Sequence, residues 1–325
     1  MKRFALAGNP NCGKTTLFNN LTGSTAYVGN WPGVTVDKRE GTYKKLSEAI
    51  SIIDLPGIYS LSPYTPEEVI SRNYILDEKP DCVINIVDAT NLERNLYLTT
   101  QLLEIDVPMV LALNMMDLLS KNKESVLINK LEKELGIPVV EISALKEDNL
   151  DLLMQKAYEA SQKGRKGKTV LEDTNLIHLI NDCRIAFEGL KVDNPLFHAV
   201  KLVELDELET AAHPSLVHTV EEFKHTFNDD VFGNDFEALI ADARYKYISK
   251  HFHDVVVVDQ KEKELREAKT KAKIEKAKKK KFFFKKKKSA ESIQNEAKLT
   301  RSDKIDKVLT NRWLGIPIFL IILFV

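Results

Sequence analysis

The eight residues Gly8-Asn9-Pro10-Asn11-Cys12-Gly13-Lys14-Thr15 match G-x-x-x-x-G-K-[ST], a pattern whose chemistry is phosphate binding. Backbone N–H groups of such a loop converge on phosphate oxygens, with the positive end of the following helix behind them. Gly8 and Gly13 keep side chains out of the phosphate space, Lys14 reaches the β- and γ-phosphates, and the Thr15 hydroxyl ligates Mg²⁺. Thr16 closes the stretch. Three more elements follow in order. Asp54-Leu55-Pro56-Gly57 offers a carboxylate for Mg²⁺ and a glycine N–H for a γ-phosphate. Asn114-Met115-Met116-Asp117 offers a carboxylate that accepts from N1–H and the 2-amino group of guanine, a donor pair that adenine lacks. The backbone of Ser143-Ala144-Leu145 is expected at the guanine O6. Between the P-loop and Asp54, Gly29-Asn30-Trp31-Pro32-Gly33-Val34-Thr35 is rich in Gly and Pro and reads as a loop. Its Thr35 is placed to close on Mg²⁺ and the γ-phosphate only when that phosphate is present.

These residues need a scaffold. Apolar strand runs fall near 3–7, 38–45, 49–53, 82–87, 108–113 and 138–142, and helical patterns near 15–21, 66–76, 92–104, 125–135 and 149–162. Such alternation predicts a mostly parallel sheet covered on both faces, with ligand beyond the carboxyl ends of the strands. Every motif above falls there. A Gly/Lys linker, 162–168, precedes helical runs near 175–188, 195–204, 215–228 and 235–252. Phe236, Leu239, Ile240, Ala243 and Tyr247 recur at helical spacing as a core stripe. The expected division is 1–165, a GTP-binding domain; 166–260, a small all-α domain; 261–304, a Lys-rich tether; and 305–325, an interfacial helix with the start of a transmembrane segment.

The net charge of -1 over 325 residues hides strong segregation. Residues 261–288 carry 15 Lys and Arg against 4 Glu, a net of +11, and residues 169–260 carry 7 against 18 acids, a net of -11. Phe282-Phe283-Phe284 between lysine runs suits an anionic lipid surface, with nucleic acid as the rival. Ile305, Val308, Leu309 and Trp313 form an apolar stripe, and 314–325 is twelve residues without charge, read as part of a spanning helix, which needs roughly 20. The basic residues before it place the preceding part on the cytoplasmic side. No signal peptide is read at Met1-Lys2-Arg3-Phe4. Cys12, Cys82 and Cys183 form no disulfide framework or zinc signature, and Cys82 reads as core packing. His213, His218, His251 and His253 read as solvent-facing or locally bonded, because no carboxylate or cysteine stands at ligand spacing.

At this point the chain resembles the cytosolic part of FeoB, the bacterial ferrous iron transport protein B. The likeness is carried by Gly8 to Thr16, Gly29 to Thr35, Asp54 to Tyr64, Val87 to Leu102 and Thr310 to Pro317. The resemblance implies a Ras-like P-loop GTPase followed by a small helical domain that favours the GDP-bound form. It also implies Fe²⁺ carried by a membrane portion, and residence at the bacterial inner membrane with this region cytoplasmic. It further implies a potassium-activated GTPase, in which Asn11 and backbone carbonyls around Gly29 and Trp31 hold K⁺. A homo-oligomer, inner-membrane lipid and small accessory proteins of iron uptake are partners it admits; nucleic acid is not expected.

The residue after Asp54-x-x-Gly57 is Ile58, which cannot orient a water as the glutamine of many Ras-like enzymes does. Either hydrolysis is negligible, or K⁺ supplies the positive charge and the backbone around Gly33 to Thr35 positions the water. The catalytic set is then Asn11, Lys14, Gly33 and Thr35, with slow turnover. Asn11 as a mere turn former stays open. The rivals are a soluble ribosome- or tRNA-associated GTPase and a nucleotide-gated binding module.

Overall fold

The computed structural model describes residues 1–23, 27–172 and 174–258. Its central sheet has seven strands in the order β2-β3-β4-β1-β5-β6-β8, namely Tyr27–Asn30, Asp37–Tyr43, Ile50–Asp54, Lys2–Gly8, Cys82–Asp88, Met109–Asn114 and Val139–Glu141. β4, β1, β5, β6 and β8 run parallel, while β3 is antiparallel to β4 and β2 to β3. Strand alternation sorts the core into two layers. Phe4, Leu6, Ile84 and Ile86 face one side and pack with Leu17, Phe18, Leu153 and Met154. Ala5, Ala7, Val83 and Val87 face the other and pack with Ile75, Leu96 and Leu131. Two-sided burial explains why these strands read as unbroken apolar runs.

The helices α1 (Lys14–Thr22), α2 (Pro66–Asp77), α3 (Leu92–Leu102), α5 (Ile128–Leu135) and α6 (Leu150–Ser161) cover the sheet. α2 starts at a full capping box, with the Thr65 side chain accepting from Glu68 N–H, Glu68 answering the Thr65 N–H, and Pro66 at the first position. Two expectations need correction. Gly29 and Asn30, the start of the Gly29–Thr35 segment read as a loop, end an edge strand, Tyr27–Asn30, paired with β3; its exposed Tyr27 and Val28 gave no buried alternation to read. The expected helix from 125 begins at Ile128, because Glu124–Val126 is a short strand, β7. The six-residue helix α4 (Met116–Lys121) is too short to show a period.

Beyond 170, α7 (Ile177–Gly189), α8 (Pro195–Val203), α9 (Glu207–Ala212), α10 (Pro214–Thr226) and α11 (Phe236–Phe252) build a separate core around Ile180, Phe187, Val200, Phe236 and Ile240. α11 continues past it, so that Ile248 and Phe252 join the sheet-side core. The Gly/Lys linker is pinned: the Arg165 guanidinium donates to the carbonyls of Leu103 and Ile105 at 2.5 and 2.7 Å. A Cβ on Gly167 would stand 2.1 Å from Glu104 O. The Lys-rich tether, the interfacial helix and the membrane-segment start lie outside the described residues; among the described residues no helix is long and apolar enough to cross a membrane.

Candidate functional site

The P-loop links β1 to α1 beyond the carboxyl end of the parallel strands. Its shape depends on two left-handed residues, Asn11 at φ 65° and Gly13 at φ 89°. A Cβ on Gly13 would fall 2.2 Å from Asn114 Nδ2, and one on Gly8 2.5 Å from Ile86 O, so both glycines are dictated by space. Lys14 Nζ donates to Asp54 Oδ1 at 2.5 Å, with both side chains nearly buried. The lysine thus lies beside the carboxylate at the end of β4. Thr15 and Thr16 are exposed on the first turn of α1, where helix N–H groups lack intrahelical partners. Burial pushes the Cys12 thiol up to about 11, so it is inert packing under the loop.

Asn114 acts as a clamp. Its Nδ2 donates to Cys12 O at 2.8 Å and its Oδ1 accepts from Ala144 N–H at 2.9 Å, tying the P-loop to the loop after β8. Asn20, not singled out from sequence, donates to Ala144 O at 2.6 Å; a lone polar residue on a helix gives no signal of that reach. Asp117 Oδ1 accepts from Ser143 Oγ at 3.0 Å, while its buried Oδ2 has no hydrogen-bond partner. Lys121 Nζ stands 3.8 Å from Oδ2, beyond hydrogen-bond reach, so this buried oxygen fits a ligand that brings N–H donors. Met115 turns the chain at φ 67°, and Leu145 stands 78 % exposed.

On the other flank, Leu55 is buried and its N–H donates to Leu6 O at 3.1 Å. Pro56 O accepts from Ser71 Oγ. A Cβ on Gly57 would lie 3.2 Å from Pro10 Cα, so the Gly57 backbone runs against the P-loop. Ile58 is 2 % exposed in the core and donates its N–H to Gly8 O at 3.2 Å. Its side chain belongs to packing. Gly29 opposes Lys38 in the β2–β3 ladder. Trp31 is buried edge-on against Tyr74 with ring centroids 5.6 Å apart, its N–H donates to Val36 O at 2.9 Å and its carbonyl accepts from Val34 N–H at 3.3 Å. Gly33, at φ 77°, closes this turn, and Gly33 and Thr35 are exposed. The structure therefore gathers Gly8–Thr16, Asp54, Gly57, Asn114, Asp117 and Ser143–Ala144, while the Trp31–Val36 turn is folded on itself.

The sheet order, the P-loop and the Asn-x-x-Asp pair define a P-loop G-domain protein with an appended helical domain. A family model described as "Ferrous iron transport protein B" matches residues 2–157, and one described as "FeoB cytosolic helical domain" matches 177–257. A "Fe(2+) transporter FeoB" of Legionella pneumophila (strain Paris) is 34% identical over 332 residues, covering 100% of this chain and 38% of the relative. Among solved structures, a GDP-bound A143S mutant of the S. thermophilus FeoB G-domain aligns with TM-score 0.72 at 38% identity, covering 79% of this chain and 100% of that one. The cytosolic domain of the T. maritima FeoB iron transporter in its GMPPNP form aligns with TM-score 0.71 at 32% identity, over 79% and 100% of the two chains. The chain belongs to the FeoB family, and it spans 38% of the length of the Legionella relative.

Proposed function

We propose that this chain is the GTP-binding, slowly hydrolysing region of a ferrous iron transporter. Residues 1–165 would form the nucleotide domain and 166–260 the helical domain. The observation that carries guanine selectivity is Asp117 Oδ2, buried without a hydrogen-bond partner, with Lys121 Nζ at 3.8 Å, and held in place through Ser143 beside a loop that Asn114 ties to the phosphate cradle. Gly8 to Thr16 bind the phosphates. A nucleotide offers Lys14 phosphate oxygens in place of Asp54, which frees that carboxylate.

The residues fit Mg²⁺: Asp54 ends β4 already facing a cation, Lys14, and Thr15 is exposed at the start of α1. Thr15, Asp54 and, after movement of its exposed turn, Thr35 would hold the ion, which supplies charge neutralisation on the phosphates. The K⁺ set of Asn11, Gly29 and Trp31 is less ready, because the Trp31 carbonyl is engaged within its own turn. Its occupancy requires that turn to open. A bound K⁺ would supply positive charge opposite the transferring group, with the Gly33–Thr35 backbone orienting the water. Coupling to Fe²⁺ uptake at the cytoplasmic side of the inner membrane, with lipid, a further copy or a small accessory protein as partners, belongs to the same proposal.

Calorimetry on the full chain tests the core of this reading. GTP and GDP are expected to bind and ATP and ADP to fail; equal purine affinities refute it. Asp117→Asn is expected to weaken GTP and admit xanthosine triphosphate. The buried Ile58 favours one second reading, a binding module with negligible hydrolysis. Single-turnover phosphate release in K⁺ against Na⁺ separates the two: faster release in K⁺ supports the ion-assisted enzyme, and equal rates remove K⁺ from it.

A further inference from the structure

Among the described residues, three donors of metal-binding type converge away from the nucleotide site. His198 on α8, Glu209 on α9 and His213 at the α9–α10 junction each bring a ligand atom, and the three atoms lie within 4.8 Å of one another. Read from the sequence, His213 has no carboxylate partner. The fold supplies one, since Glu209 and His213 are one helical turn apart and α8 adds His198 from alongside. The Phe187 ring walls the cluster, edge-on to His213 at 4.9 Å and tilted to His198 at 5.7 Å.

The Glu209 carboxylate is 3 % exposed. Its Oε1 accepts from Arg72 Nη2 at 2.5 Å and meets His198 Nδ1 at 2.8 Å, whereas its buried Oε2 has no hydrogen-bond partner. Arg72 is shared with Asp206, at 2.8 Å. One guanidinium therefore faces two carboxylates whose side chains are almost wholly buried, so the second negative charge needs a further cation, either a bound ion or a protonated histidine. Burial of a net charge is costly unless a cation joins it.

We propose that His198, Glu209 and His213 form a binding site for a borderline first-row divalent ion of the Zn²⁺, Fe²⁺ or Co²⁺ type. Two imidazoles and one carboxylate are a donor set such ions take. Mg²⁺ and Ca²⁺ prefer all-oxygen shells. The unpaired Oε2 supplies the anionic ligand and the ion offsets the residual charge. Glu209 also holds Arg72, and Arg72 sits on α2, the helix that follows Asp54–Gly57. The ion and the guanidinium thus share one carboxylate, and occupancy bears on how the helical domain grips α2. Neither the site nor its test depends on the nucleotide reading.

The test uses Co²⁺ and Zn²⁺ on the full chain without nucleotide. Co²⁺ is expected to give visible d–d bands that saturate at one equivalent and are displaced by Zn²⁺ but not by Mg²⁺. Zn²⁺ is expected to raise Tm. His213→Ala, at a half-exposed position, should weaken Co²⁺ by at least the roughly 10–100-fold that even outer-shell partners cost, and should abolish the Tm rise. His218→Ala, in an exposed pair with Glu222, should change neither. Equal Co²⁺ binding by wild type and His213→Ala, or no binding at neutral pH, overturns the proposal and leaves a protonated histidine as the balancing charge.

Discussion

Gly13 shows how narrowly single residues are constrained at the phosphate cradle. An alanine there meets Asn114 Nδ2 at 2.2 Å in a left-handed backbone that itself costs about 1–2 kcal/mol. Gly13→Ala is therefore expected to lose nucleotide affinity and to lower stability together, read by calorimetry and urea melts; unchanged GDP affinity would contradict the geometry. Asn114 is constrained likewise, because its two hydrogen bonds hold the P-loop and the loop after β8 together. Cys12 makes a sharper point. Its thiol is 1 % exposed and burial raises its pKa to about 11; Cys82 and Cys183 are buried as well. Iodoacetamide at pH 8 should leave all three unmodified in the folded protein and label all three after denaturation, as mass spectrometry would show.

Elements are joined by buried charge as much as by apolar packing. Arg244 on α11 is wholly buried and donates to Glu104 just past α3 at 2.8 Å, with Thr100 Oγ1 also in reach. Burial holds the Glu104 carboxyl above its ordinary value even though the Arg244 guanidinium opposes that shift. Arg244→Met strands a carboxylate in the interior, and a loss of about 3–5 kcal/mol is expected. Replacing Glu104 with Met as well should recover a large part, which a double-mutant cycle in urea would measure. The cap of α2 is a milder case. Thr65→Ala removes one half of the capping box, an expected loss of about 1 kcal/mol, without touching a phosphate-facing group.

At the scale of the whole molecule, Met1–Val257 cluster as one compact unit although two family models divide them. Arg72 to Asp206 and Glu209, Lys201 to Ser62, and Arg244 to Glu104 bind the helical part to the sheet. A 1–257 fragment is expected to unfold in one cooperative transition by calorimetry; two resolved transitions would show that the helical domain folds apart from the sheet. The amino-acid sequence by itself determined the nucleotide constellation and the α/β alternation, because a P-loop, an Asn-x-x-Asp pair and two-sided buried strands are local patterns written in neighbouring residues. It could not show the edge strand at Tyr27–Asn30, whose side chains are largely exposed, or the six-residue helices, which complete fewer than two turns. Only the tertiary structure decided that Asn114 clamps Cys12 to Ala144, that Arg72 meets acids 134 and 137 residues away, and that His198, Glu209 and His213 meet. Apart from the one-turn spacing of Glu209 and His213, those contacts are set by how helices pack in space, and no spacing along the chain encodes them.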